Sequence, residues 1–244
     1  MASRSNVTVL DLATTPLREV NRSLQSHDAL AGAIEVDAAG ASNGHYRILN
    51  PRGAHALACG LDAPIEVDVE GHAGYYCAGM NAKARINVLG NAGVGVAENM
   101  MSGEVRVSGD ASQSAGATAH GGLLVIEGNA SARCGISLKG ADLVVKGNVG
   151  HMSMFMAQSG NLVVLGDAGE ALGDSIYEAR IFVRGRVQGL GADCVEKEMK
   201  KDHLAILGDL LERAGCPDVD PESFRRYGSA RKLYNFHVDN VDAY

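Results

Sequence analysis

In the stretch DLVVKGNVGHM, residues 142 to 152, Lys146 stands directly before Gly147 and His151 follows the turn. A strand running into a glycine turn is where nucleotide enzymes aim backbone amides at phosphate, with a lysine to supply charge. The run GNAGVGVAE, residues 90 to 98, has a similar look, but no lysine and serine follow it and it leads into no helix. Any other chemistry needs side chains brought together by the fold. The candidates are His72, His120 and His151, the carboxylates Asp110 and Asp167, and the cysteines Cys59, Cys77, Cys134, Cys194 and Cys216, which contain no CxxC pair.

The elements that must position these residues are repeated. Steps of nineteen from Gly147 land on Gly71, Gly90, Gly109, Gly128, Gly166 and Gly185, an unbroken register of corner glycines. Two and four residues before each corner the side chains are aliphatic, from Val67 and Val69 to Ile181 and Val183. Two residues after each corner stand Ala73, Ala92, Ala111, Ala130, Val149, Ala168 and Val187. A looser column of small residues, Ala84, Gly103, Gly122, Ala141, Gly160 and Ala179, precedes the strands and marks a second corner.

Period two within a coil is a strand with one buried face, and one coil cannot bury that face alone. Stacked coils can, each strand pairing in parallel with its copy in the next. Nineteen residues leave no room for a helix, a strand and two turns, and the asparagine and leucine pattern of leucine-rich repeats is absent. The fold expected is an all-β solenoid, a single parallel β-helix of about seven coils over residues 61–194. At ~4.8 Å between strands the prism is on the order of 30 Å long.

Residues 1–60 read as an N-terminal helix and cap. Thr15 and Pro16 take the N-cap and N1 positions, Leu17, Val20 and Leu24 share a face, and AHALACG (54–60) reads as helical. Residues 195–244 read as a C-terminal helix and docking tail, with Leu204, Leu207, Leu210 and Leu211 in one stripe and a stop at Gly215.

The register also sorts the chemistry. His72 lies one residue after its corner, His151 four after and His120 eleven after, so they form no ladder of ligands. Asp110, Asn129, Asn148 and Asp167 share one turn position and read as turn residues bonding their own backbone. Cys77 and Cys134 share a column three coils apart, too distant for a bridge or a shared metal, and read as small core residues. No catalytic, cofactor-binding or metal-ligating residue is therefore expected in this chain.

A net charge of -7, pI near 5.6 and no tryptophan exclude a nucleic-acid groove that works by charge or stacking. No apolar run reaches membrane-spanning length and no signal-peptide core is visible, so a soluble cytoplasmic protein is expected.

What the register does not absorb is soft apolar surface. Tyr75, Tyr76, Met80, Met100, Met101, Met152, Met154, Phe155 and Met156 crowd the segments after the corners. The tail adds Arg225, Arg226, Arg231, Lys232, Tyr234 and Phe236, read either as packing on its own domain or as an arm around a partner. The candidate interface is Met152, Met154, Phe155, Met156, Arg225, Arg226, Tyr234 and Phe236.

The recurrent coil in INVLGNAGVG, LVVKGNVGHM and IFVRGRVQGLGADC resembles the C-terminal GXGXG domain of the glutamate synthase large chain, over residues 65–194. It is also similar to the β-helix subunit of formylmethanofuran dehydrogenase and to the related subunit of the formyltransferase/hydrolase complex. The N-terminal helix segment and the tail YGSARKLYNFHVDNVDAY look more like the stand-alone glutamate-synthase-type subunit, N-methylglutamate synthase being the nearest system. The resemblance implies a right-handed β-helix that is a scaffold without catalytic residues. Its partners would be a glutaminase-like amidotransferase and an FMN-binding subunit, arranged around an ammonia or amine path. The start Met1-Ala2-Ser3 offers no cysteine nucleophile and the chain has no room for a flavin barrel, so the resemblance implies that both chemistries come from other chains, with FMN and iron–sulfur clusters expected in the partner. The reaction implied is amine transfer from methylamine onto glutamate, or glutamate synthesis itself.

Overall fold

The computed structural model describes residues 7–30 and 44–231, without the side chains of 27–30. The strands are β1 (Val7–Asp11), β2 (His45–Leu49), β3 (Glu66–Glu70), β4 (Arg85–Val88), β5 (Glu104–Val107), β6 (Leu123–Ile126), β7 (Lys139–Val145), β8 (Ser159–Val164), β9 (Arg180–Val183), β10 (Cys194–Lys197) and β11 (Arg225–Ser229). From β1 to β9 every strand pairs in parallel with the next, in sequence order. This is a β-solenoid of stacked coils, as the nineteen-residue register requires. A second ladder runs beside the sheet through Ala73, Ala92, Ala111, Ala130, Val149, Ala168 and Val187. The aliphatic pairs before each corner, Val67 and Val69 through Ile181 and Val183, are buried in one continuous core.

The corner glycines need a different explanation from a bend that only glycine can make. Gly90, Gly109, Gly128, Gly147, Gly166 and Gly185 do not have positive φ. A Cβ on Gly147 would lie 2.6 Å from both Gly128 O and Asn129 Oδ1, atoms of the preceding coil. These residues are glycine because the coils stack too closely there for a side chain.

The Asn/Asp column beside them also differs from expectation. Each side chain bonds the next coil and not its own turn. Asn91 Oδ1 accepts from Asp110 N–H (2.9 Å), Asp110 Oδ1 from Asn129 N–H (2.7 Å), Asn129 Oδ1 from Asn148 N–H (2.9 Å), and Asn148 Oδ1 from Asp167 N–H (2.7 Å). Asp167 Oδ1 takes Arg186 N–H, and His72 Nδ1 begins the ladder on Asn91 N–H. Parallel stacking brings the next coil's amide nearer than any group of the residue's own turn.

Both ends are capped. Helix α1 (Leu17–Leu30) opens one residue later than expected, with Pro16 O accepting from Val20 N–H, and buries Val20 and Leu24. Its Asn21 donates to Ala56 O and accepts from Ala58 N–H, while Gln25 donates to Cys59 O. These amides do for the first coil what another coil would. AHALACG is not helical: Ala56 and Ala58 are left-handed, as in every later coil. At the far end β11 pairs antiparallel with β9, and β10 with β11.

Helix α2 (Lys201–Arg213) lies across the outer sheet face. Leu207, Leu210 and Leu211 pack with Leu123, Val125, Val144, Val163 and Phe182, so the outward strand positions turn apolar only where the helix covers them. Arg106 donates to Arg213 O at the helix C-terminus, where a cation is favoured. No helix among the described residues is long and apolar enough to cross a membrane.

Candidate partner-binding face

The third side of the prism has alternate residues in the left-handed region. Ala56, Ala58 and Gly60 begin the pattern, followed by Tyr76, Ala78 and Met80, then Gly95, Ala97 and Asn99, and Ser114, Gly116 and Thr118. It continues through Arg133, Gly135 and Ser137, Met152, Met154 and Met156, and Ala171, Gly173 and Ser175. Positive φ costs a non-glycine residue about 1–2 kcal/mol. The regular bonding between coils offsets that strain. In the coil 152–156 the outer two N–H groups, of Met152 and Met156, donate forward to Glu170 O and Asp174 O, and the middle one, of Met154, donates back to Cys134 O. The same forward and backward pattern holds at Ser114, Gly116 and Thr118.

The alternation splits the side chains into two sets. Cys77, Val96, Ala115, Cys134 and Leu172 point into the core, together with the middle left-handed residue of each coil. Burial pushes the Cys77 and Cys134 thiols up to about 12, so both are inert packing residues, as expected. The outer left-handed residues and their neighbours face out. Tyr75, Tyr76, Met80, Met101 and Met156 are exposed to between 41% and 57%, an apolar series unlike a polar solvent face. Glu98 lies on this side, and burial raises its carboxyl above the ordinary value.

The expected interface residues divide. Met156 is exposed, and Met152 and Phe155 are half-buried. Met154 is a correction: it is fully buried, and its sulfur fills space left open by Gly135, where a Cβ would sit 2.6 Å from Met154 Sδ. Met100 is likewise buried. Arg225 and Arg226 are on β11, away from the methionines, and donate to Gly185 O and Glu198 O. Burial, with Arg180 nearby, lowers the Arg226 pKa. The arginine that does reach the methionine coil is Arg231, which bonds Asp193. It lines a pocket of about 180 Å³ with Met156, Ser175, Ile176, Tyr177 and Asp193. Tyr234 and Phe236 lie outside the described residues.

The residues that suggested chemistry in the sequence are accounted for structurally. Lys146 pairs with Glu127 of the preceding coil at 2.7 Å. His72 is a ladder rung, and His120 and His151 are exposed. His55 stacks on Tyr75 with ring centroids 4.5 Å apart and accepts its N–H.

One grouping escaped the sequence reading. His45 of β2 and Glu66 and Asp68 of β3 place their ligand atoms within 4.8 Å of one another on the outer sheet face. His45 pairs in register with Glu66, which is 21 positions on, so a count by nineteen misses it.

No protein-family model matches the chain, and no solved structure does. Protein GlxC of Rhizobium meliloti (strain 1021) is 64% identical over 236 residues, covering 97% of this chain and 99% of that protein. Identity at that level across nearly the whole of both chains shows that the chain belongs to the GlxC family.

Proposed function

We propose that this protein is the non-catalytic structural subunit of a flavin-dependent, glutamate-synthase-like complex, holding a glutaminase-like subunit and an FMN-binding subunit around an ammonia or amine path. The observation that carries the reading is the strip of alternating left-handed residues. A backbone that needs positive φ at every second residue is what a G-x-G-x-G pattern encodes, and here that strip is lined by exposed methionine and tyrosine. A backbone held rigid to present a surface suits a scaffold, and the exposed methionine and tyrosine side chains along it suit coverage by a partner. Amine transfer from methylamine to glutamate is the reaction proposed for the assembly, with every chemical step in the partners.

The test is affinity purification of the tagged full chain from its own host. The expected result is a yellow complex containing FMN and a partner with glutaminase homology. A metal-dependent amidohydrolase-like partner would instead point to a formyl-transfer complex. Turnover of an amine or sugar substrate by the isolated chain would overturn the scaffold reading altogether.

A further inference from the structure

We infer that His45, Glu66 and Asp68 form a site for one divalent first-row transition ion, which clips the irregular first coil to the regular stack. His45 Nε2 stands 2.7 Å from Asp68 Oδ2, and the Glu66 carboxylate completes a triad within 4.8 Å. One imidazole and two carboxylates are a ligand set that zinc and its neighbours accept, leaving a position for water. Ligands at zinc distances stand about 3.3 Å apart around a tetrahedron, so small side-chain rotations suffice.

Charge points the same way. Along this sheet face Glu70 pairs with Arg47, Glu104 with Arg85 and Arg106, Glu127 with Lys146, and Asp142 with Arg213. Glu66 has no hydrogen bond or ion pair from its carboxylate among the described residues. Arg85, directly opposite it in register, reaches away to Glu104. Of the two neighbouring carboxylates only Asp68 is bonded, to His45 and Asn87. A cation among the three satisfies Glu66, and Asn87 Nδ2, donating to Asp68 Oδ1 at 2.8 Å, already orients that ligand from behind.

The position explains what the ion would do. The end of a stack opens first, and outside β2 lie only β1 and the α1 cap. Cross-linking β2 to β3 holds that end closed.

Zinc chloride is titrated into the metal-stripped full chain, with binding counted by equilibrium dialysis and thermal unfolding followed in parallel. Glu66→Gln is the decisive variant, because that carboxylate holds nothing else in place. The expected result is one more equivalent of zinc on the native chain than on Glu66→Gln, or at least about tenfold weaker binding in the variant. A zinc-dependent rise in Tm should be seen for the native chain and lost in Glu66→Gln and Asp68→Asn. Equal stoichiometry, affinity and Tm response in native and Glu66→Gln proteins would overturn the assignment, the zinc then lying on other histidines or thiols.

Discussion

Replacing Gly147 by alanine tests why the corner is glycine. The added Cβ meets Gly128 O and Asn129 Oδ1 at 2.6 Å and Gly128 C at 2.8 Å, all in one neighbouring coil. Two of the three are backbone atoms held in the stack, so the clash is relieved only by separating coils. That places the cost at the upper end of the overpacking range, about 3 kcal/mol, or a fall in Tm of roughly 6–12 °C for a chain of this size. Two other glycines serve as controls. Gly208, inside α2 with Pro221 Cγ 3.9 Å from its Cβ position, should gain about 0.5–1 kcal/mol as alanine. Gly215 has φ +76 and open space, so alanine should cost about 1 kcal/mol and asparagine recover most of it. At Gly147 asparagine should be worse than alanine. Melting followed by circular dichroism reads all five variants. A Gly147→Ala protein within about 1 °C of native, or rescue of that site by asparagine, would refute the stacking explanation.

Other outcomes follow from the same geometry. Asn129→Ala removes the acceptor for Asn148 N–H and the Nδ2 donor to Asp110 Oδ1 and should cost about 0.5–1.5 kcal/mol in urea unfolding, whereas Asn129→Asp keeps the acceptor but sets a second carboxylate against Asp110 and should lose stability as pH rises through the carboxylate range. The Arg186 N–H holds the Asp167 carboxyl below its ordinary 3.8, burial opposing and the Arg186 guanidinium assisting. Because the folded pKa is the lower one, its stabilisation is complete above the ordinary value and is lost as pH falls through the folded value. Asp167→Asn should therefore give a flatter acid-unfolding curve below about pH 4 than the native chain. Burial pushes the Cys77 and Cys134 thiols up to about 12, so both stay protonated and out of reach of reagent at pH 8. A native-state thiol titration should leave both unlabelled until denaturant is added, and rapid labelling of either would contradict their burial.

The parallel stack and its inner aliphatic columns were legible because one side chain in two must face the core and the coil length is constant, whereas the β10–β11 pairing that closes the far end lies in a segment read as a docking tail. The bonding of the polar column was not, since sequence distance makes a residue's own turn look nearest while stacking makes the next coil nearer. The helical reading of AHALACG failed for a related reason: its alanines lie where every other coil has a left-handed residue, and only comparison with GVAEN, SAGAT and RCGIS would have revealed that. Met154 was misplaced because methionine occupies a position that Gly116, Gly135 and Gly173 take in other coils. His45 fell outside a nineteen-residue count, two residues off its column. A signal for α2 was present in the outward run Leu123, Val125, Val144, Val163 and Phe182, too apolar for solvent.

Coverage of the left-handed face by a partner is tested most directly by methionine oxidation footprinting of the copurified assembly. In the free chain, exposed Met80, Met101 and Met156 should oxidise readily, while buried Met100 and Met154 should not. In the assembly Met156 and its exposed neighbours should become protected, with Met100 and Met154 unchanged. Equal oxidation of Met80, Met101 and Met156 in free and assembled protein would contradict the account.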